Sequence, residues 1–158
     1  MVQIETRPSA GRTNIGPARK FWIESDLVYP LAKGASNIGK GLFLYDANLC
    51  AILPNVGISA SDYKKAEEVL DDLPKTKEYF QAYKEKLLQR STFRKFMPGA
   101  PFWAVYNVGA YTLIQYKVAW SEIGNTVKAA ILEVDAQENP LKNQIVIPPD
   151  CQLKCNTR

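Results

Sequence analysis

The middle of the chain has the apolar spacing of two helices. The first carries its apolar residues three or four positions apart, at Tyr63, Ala66, Leu70 and Leu73. This spacing gives a helix one buried face, which Ser59 or Ser61 can cap and Pro74 ends. A second helix is predicted over about residues 75–91, with apolar residues on one side at Tyr79, Phe80, Tyr83, Leu87 and Leu88. Joined so closely, the two helices form a predicted helical hairpin.

Alternating apolar and polar positions predict short strands on both sides of this hairpin. Before it, residues 42–54 alternate around a turn at residues 46–48, which predicts a β-hairpin. After it, β-branched and aromatic residues predict four strands, at residues 102–108, 111–123, 126–134 and 144–147. The predicted fold class is therefore α+β, a helical hairpin with mixed, largely antiparallel short strands.

The two ends of the chain lack such patterns. Residues 1–20 contain proline, glycine and scattered arginine with almost no apolar periodicity, which predicts a flexible arm or linker. Residues 151–158 are predicted to be a tail. The intervening residues 21–150 are predicted to form one domain, because a chain of 158 residues is long enough for a single compact unit with its own core.

Composition removes several classes of chemistry. The sequence contains no histidine, which excludes Ser-His-Asp and Cys-His catalysis and the H-E-x-x-H zinc site. The three cysteines, Cys50, Cys151 and Cys155, fit neither a disulfide framework nor a histidine-free zinc site, so reduced thiols are expected. No stretch approaches the about 20 apolar residues of a membrane span, and no signal peptide is visible. We therefore expect a cytoplasmic protein without a membrane partner.

Two enzyme motifs are present only in part. Gly34 and Gly39 have the spacing of a phosphate-binding loop, but Gly41 stands where serine or threonine would bind magnesium. Residues 115–117 match the Q-x-K pattern of metal-dependent nucleases, yet residues 86–121 contain no Asp or Glu that could bind a cation. The sequence therefore contains no catalytic motif, and a free-standing enzyme is the least favoured interpretation.

Positive charge is concentrated in one part of the chain. The net charge is only +4, but residues 74–95 contain seven basic residues against two acidic ones. From residue 90 to residue 120, basic residues alternate with aromatic ones. Cations neutralise phosphates and aromatic faces stack on bases, so this combination is typical of nucleic-acid binding. Most aromatic residues at strand positions belong to a core, whereas Arg94 and Lys95, between Phe93 and Phe96, cannot.

Four stretches resemble a known family in their order and spacing. They are residues 24–34 (Glu-Ser-Asp-Leu-Val-Tyr-Pro-Leu-Ala-Lys-Gly), 90–93 (Arg-Ser-Thr-Phe), 101–112 (Pro-Phe-Trp-Ala-Val-Tyr-Asn-Val-Gly-Ala-Tyr-Thr) and 116–120 (Tyr-Lys-Val-Ala-Trp). From about Phe21 to Pro149, the chain resembles the specificity region of bacterial adenine-N6 DNA methyltransferases with a TaqI-like C-terminal domain. The resemblance implies a DNA methylase specificity domain-like fold, in which Tyr29, Pro30 and Gly34 are expected to be scaffold.

In that family a catalytic domain binds S-adenosylmethionine and flips the target adenine out of the duplex. Its glycine-rich cofactor motif and its N-P-P-[YF] motif are absent here. The resemblance therefore implies target recognition without methyl transfer by this chain and no cofactor bound to it. S-adenosylmethionine is expected in a catalytic methyltransferase domain, attached in cis or supplied in trans.

The predicted DNA-binding residues are polar or basic residues near these stretches. They are Lys33, Ser36, Asn37, Lys40, Arg90, Arg94, Lys95 and Lys117. The first four lie in a predicted polar loop at residues 33–41, and Arg94 and Lys95 lie in a second predicted loop after the second helix. Asparagine and lysine can hydrogen-bond base edges, while the basic residues of the second loop are expected to hold phosphates. The sequence thus predicts a domain that binds double-stranded DNA and recognises the target of an adenine-N6 methyltransferase in a restriction-modification system. The alternative is an RNA-binding or protein-interaction module that uses the same surface.

Overall fold

The computed structural model describes residues 1–10, 13–33, 49–58, 62–114, 117–121, 125–126, 128–132, 147 and 153–155. It divides into two compact units. Unit 1 comprises Met1–Leu27 and Ile58–Tyr106, and unit 2 comprises Val28–Gly57 and Asn107–Arg158. The architecture is α+β with short antiparallel strand pairs, which confirms the predicted fold class at that level.

Unit 1 begins with a two-stranded antiparallel ribbon. Strand β1 (Val2–Glu5) pairs with β2 (Lys20–Ile23), so that Ile4 lies opposite Phe21. The Thr6 hydroxyl accepts a hydrogen bond from the amide of Arg19 at 2.9 Å and so fixes the end of the ribbon. Within the predicted arm, Val2–Glu5 is therefore a paired strand. A strand of four residues with one buried side chain is too short to give a visible apolar period.

Four short helices follow in unit 1. They are α1 (Tyr63–Val69), α2 (Pro74–Ala82), α3 (Lys84–Leu88) and α4 (Ser91–Phe96). Helix α2 packs on β2, where the ring of Phe21 meets the rings of Tyr79 and Tyr83 edge-on at 5.1 and 5.9 Å between centroids. Ile23 and Phe80 are buried in the same layer. This aromatic packing holds the helices of unit 1 against the ribbon.

The second predicted helix is two helices. Tyr83 separates α2 from α3 with a backbone φ of −115°, outside the helical range. Its ring is buried, and its hydroxyl lies 3.4 Å from the Thr6 hydroxyl. Pro74 occupies the first turn of α2, where its missing N–H costs nothing. Helix α4 then forms where the sequence indicates a basic loop.

Unit 2 contains two small antiparallel sheets. Strand β3 (Val28–Pro30) pairs with β4 (Cys50–Ile52). Strand β5 (Lys117–Ser121) is the central strand of the second sheet, between β6 (Ala129–Leu132) and β7 (Leu153–Cys155). Tyr29 and Pro30 are buried in β3, as expected of scaffold residues.

Several strand boundaries differ from the sequence prediction. Residues 102–108 form turns instead of a strand, and Ala110–Leu113 form a short 3-10 helix. Among the described residues of the predicted strand 111–123, Lys117–Ser121 form β5, and among those of the predicted strand 126–134, Ala129–Leu132 form β6. Residues 151–158, predicted to be a tail, contain β7, which is only three residues long and has no apolar period to detect. These differences arise because alternation cannot distinguish a strand from a packed turn that buries aromatic residues.

Some predictions fall outside the described residues. They concern the turn at residues 46–48, the caps Ser59 and Ser61, and most of the strand 144–147. Asp62 occupies the N-cap position of α1. In the part of the chain that the structure describes, no helix has the length and apolar content needed to cross a membrane.

Candidate nucleic-acid interface

Arg90 connects the helices of unit 1 to the chain that follows them. It precedes α4, and its guanidinium donates hydrogen bonds to the carbonyl oxygens of Leu87 at 2.9 Å, Phe102 at 2.6 Å and Ala104 at 3.0 Å. It also lies 5.3 Å from the centre of the Phe93 ring. Burial lowers the pKa of Arg90, but an arginine remains charged at neutral pH. With these hydrogen bonds Arg90 positions the backbone of Phe102 and Ala104 against the end of α3.

The predicted DNA contact of Arg90 stays a prediction, and the structure gives this guanidinium partners within the chain. The guanidinium N–H groups donate to three backbone carbonyl oxygens. If Arg90 moved to bind a phosphate, these partly buried oxygens would lose their hydrogen bonds, which costs free energy. The sequence shows only an arginine between a lysine-rich helix and an aromatic loop. It does not show that residues 102–104 fold back onto that arginine.

Lys117 is buried in unit 2. It belongs to the covered side of β5, with only 3% of its surface exposed, and its ammonium donates to the carbonyl oxygen of Ile114 at 2.6 Å. The aliphatic stem of a lysine packs well in such a position while a carbonyl satisfies its charge. The predicted DNA contact of Lys117 stays a prediction, and it would require this ammonium to leave its buried position.

Arg94 and Lys95 lie where a polyanion can reach them. Both side chains are exposed in the last turn of α4, and the ammonium of Lys95 is 5.0 Å from the centre of the Phe96 ring. A cation at the C-terminal end of a helix is electrostatically favourable, so these charges also suit the helix that carries them. Of the predicted residues that are described, these are the two that the structure brings together on one exposed element.

Two aromatic rings next to these cations are unusually exposed. Phe96 and Tyr106 retain 51% and 40% of their surface, and their rings stack with 5.2 Å between centroids and 25° between planes. Gly99 turns the chain between them with φ of +81°, a conformation that favours glycine. Sequence reasoning named both rings only as part of an aromatic run. No local signal pairs two residues across this turn.

Arg90 and Gly99 together explain why the rings meet. Gly99 lets the chain reverse after α4, and Arg90 fixes the carbonyl oxygens of Phe102 and Ala104 on the returning segment. Tyr106 follows two residues later and reaches Phe96. The stacked pair is thus held by the scaffold beneath it, as a binding site requires.

The lysines of helices α2 and α3 fall into two groups. In α2, Lys75 lies 3.1 Å from the Glu78 carboxylate and Lys77 lies 2.6 Å from the Asp71 carboxylate. In α3, Lys84 and Lys86 are exposed, and the ammonium of Lys84 is 5.3 Å from the centre of the Phe102 ring. Among the described residues, no carboxylate pairs with either of them or with Arg94 and Lys95. These four cations are available to a phosphate.

We call these cations and rings the basic aromatic surface. It consists of Lys84, Lys86, Arg94, Lys95, Phe96 and Tyr106. Helices α3 and α4, which carry all but Tyr106, pack against each other within unit 1. The absence of Asp and Glu from residues 86–121 keeps the sequence around α4 free of negative charge. The arrangement can attract a polyanion and offer it an aromatic face.

The first predicted loop contributes less to the described structure. Lys33 is exposed in unit 2, while Ser36, Asn37 and Lys40 lie outside the described residues.

Cys50, in β4, is a free cysteine, and partial burial raises the pKa of its thiol. Within the described ranges, no three His, Cys, Asp or Glu side chains come close enough to hold a metal ion.

Comparisons with known proteins give no family. No protein-family model matches the sequence, and neither the curated proteins nor the solved structures contain a significant match. The resemblance to methyltransferase specificity regions therefore stays a prediction based on the four stretches of sequence. Any functional conclusion has to come from the side chains themselves.

Proposed function

We propose that this chain is the target recognition domain of an S-adenosylmethionine-dependent adenine-N6 DNA methyltransferase in a restriction-modification system. It binds double-stranded DNA and does not itself transfer the methyl group. A catalytic domain, in cis or in trans, binds the cofactor. The observation that carries the DNA-binding part of this proposal is the basic aromatic surface of unit 1.

The charges of this surface favour a phosphate backbone as the ligand. Lys84, Lys86, Arg94 and Lys95 have no carboxylate partner among the described residues, whereas Lys75 and Lys77 do. Each cation that meets a phosphate releases a counterion, and this release supplies much of the affinity for DNA. A surface that only kept the protein soluble would not need two exposed, stacked aromatic rings beside its cations.

The sequence resemblance narrows the ligand from nucleic acid in general to duplex DNA. The stretches at residues 24–34, 101–112 and 116–120 supply buried side chains such as Tyr29, Trp103 and Lys117. Burial agrees with a scaffold role for these stretches, as expected where recognition residues vary with the target. The specificity domain-like fold is part of this proposal.

The first experiment measures binding of the chain to a short labelled DNA duplex by fluorescence anisotropy, between about 50 and 200 mM salt. We expect the affinity to fall with salt. Replacing Arg94 and Lys95 together by alanine should weaken binding and reduce the salt slope by up to about two, since each phosphate contact contributes about 0.9. The matched control is Lys75→Ala with Lys77→Ala, which removes two cations that already have carboxylate partners.

Two results would contradict the assignment. If the Arg94 and Lys95 variant binds duplex DNA with an unchanged slope, this surface is not the phosphate contact. If single-stranded RNA of the same length binds more tightly than duplex, the RNA-binding alternative replaces the proposal. A second measurement, selection from random duplexes, tests target recognition. It should enrich one sequence that contains adenine, and no enrichment would contradict this role.

A further inference from the structure

The aromatic rings of the surface have a property that phosphate binding does not use. Phe96 keeps 51% of its surface exposed and Tyr106 keeps 40%. The stacked geometry shields part of each ring and leaves the rest in water. Exposed apolar surface of this kind is costly unless something covers it, and in proteins it commonly marks an interaction site.

The surroundings of the rings indicate what covers them. The ammonium of Lys95 lies 5.0 Å from the centre of the Phe96 ring, and Arg94 is exposed in the same last turn of α4. No acidic residue occurs between residues 86 and 121. A nucleobase presents a flat π-face that is covalently joined to a phosphate. An aromatic face with an adjacent cation matches both parts of a nucleotide at once.

We propose that Phe96 and Tyr106 form a stacking site for an unpaired nucleobase in the bound DNA, with Lys95 beside the attached phosphate. This proposal rests on the proposed function, because the cations must first bring DNA to the surface. A paired base presents its faces only to its neighbours in the stack. The ligand is therefore a base that has left the duplex stack, or one in a single-stranded or mismatched segment.

The scaffold supports a defined stacking site over a general apolar patch. Arg90 fixes the carbonyl oxygens of Phe102 and Ala104, which places Tyr106 against Phe96. A ring held in advance loses little conformational entropy when a base stacks on it. A protein partner would favour more apolar area and fewer unpaired cations at the centre of the contact.

The test uses the full chain and three DNAs of the same sequence. One is a perfect duplex, the second carries one bulged 2-aminopurine, and the third carries a bulged abasic residue in the same position. We expect the bulged base to bind at least about five-fold more tightly than the abasic bulge, as stacking of one base on an aromatic residue requires. The 2-aminopurine fluorescence should fall on binding, because stacking quenches it.

The variants separate stacking from charge. Phe96→Ala with Tyr106→Ala should abolish the preference for the bulged base over the abasic bulge, whereas the salt slope of duplex binding should be retained because the four cations remain. Phe96→Tyr with Tyr106→Phe keeps both rings and should keep the preference. If the alanine variant is less stable by circular dichroism, Phe96→Leu with Tyr106→Leu preserves apolar area without a π-face. Trp22→Ala is the matched control, an exposed ring at 58% on β2 of the same unit.

The outcomes distinguish the two proposals. Equal binding of all three DNAs by the original chain, with its salt dependence intact, would overturn the stacking site and leave duplex binding standing. Retention of the preference in the leucine variant would also overturn it. Failure to bind any of the DNAs would overturn both proposals. Loss of the preference in the alanine and leucine variants alone would establish the site.

Discussion

Replacing Glu24 should destabilise unit 1 through the N-terminus of α2. One carboxylate oxygen of Glu24 accepts a hydrogen bond from the Lys75 amide at 3.1 Å. The other accepts from the Thr76 amide and from the Thr76 hydroxyl, both at 2.7 Å. Glu24 lies 51 residues before Lys75 in the sequence, so this long-range contact attaches the chain after β2 to the helix. The negative charge also complements the helix dipole.

The magnitude follows from the pKa of Glu24. Partial burial raises this pKa, but the hydrogen bonds from Thr76, from the backbone of Glu24 and from the Lys75 and Thr76 amides outweigh burial and lower it from 4.5 to about 2. At about 1.36 kcal/mol for each tenfold change in the acid constant, the lowering corresponds to at most about 3 kcal/mol. Because Glu24 is only partly buried, screening by solvent reduces the expected contribution to about 1–2 kcal/mol.

The pH dependence of this contribution has a defined direction. The pKa is lower in the folded chain than in the unfolded chain, so the contribution is fully present above about pH 4.5 and is lost as the pH falls toward about 2. Glu24→Gln keeps a hydrogen-bond acceptor but loses the charge. Its free energy of unfolding should be about 1–2 kcal/mol lower at pH 7, and this difference should shrink toward zero in acid.

Urea unfolding at pH 7 and at several pH values below 5 measures this difference, with circular dichroism as the readout. Glu24→Ala should lose about 2–3 kcal/mol, since it also leaves the fully buried Thr76 hydroxyl without its acceptor. Glu78→Gln is the control, a carboxylate on the exposed side of α2 paired only with Lys75. A constant difference between the original chain and Glu24→Gln from pH 7 to pH 3 would refute the reasoning.

Two further predictions concern Arg90 and Lys117, the predicted DNA-binding residues whose side chains have hydrogen-bond partners within the chain. Arg90→Lys should lower the free energy of unfolding by about 1–3 kcal/mol, because one ammonium cannot reproduce the guanidinium bonds to Leu87, Phe102 and Ala104; unchanged urea unfolding would show that these bonds contribute little. Lys117→Met should leave duplex affinity and its salt slope unchanged in the anisotropy assay, since the ammonium is buried on Ile114; a slope reduced by about 0.9 would restore Lys117 as a phosphate contact.

The sequence predicts the fold class and the positions of the first helices, because apolar spacing records burial directly. Helix α1 and the start of α2 fall where that spacing places them. The break between α2 and α3 at Tyr83 cannot be seen in the sequence. Its buried ring lies at an apolar position of the helical period, as a residue inside one continuous helix would. Strand β1 is missed for the opposite reason. Its stability comes from pairing with β2, a contact between distant residues that leaves no local pattern.

The candidate site shows a similar division between local and long-range information. Exposure of Arg94 and Lys95 follows from their position between aromatic residues, and the structure agrees. The partners of the other cations depend on the fold. Of the seven basic residues in 74–95, Lys75 and Lys77 pair with carboxylates and Arg90 binds carbonyl oxygens.

A charge count from sequence therefore overstates what a polyanion meets here. Four cations remain on the basic aromatic surface, and two of them, Arg94 and Lys95, directly precede Phe96 of the ring pair. If each of the four met one phosphate, this surface would give a salt slope of at most about 3.6 in magnitude. Electrostatics of that size attracts DNA of any sequence. Stacking on the two rings adds affinity but tolerates every base, so discrimination among sequences has to come from hydrogen bonds to base edges.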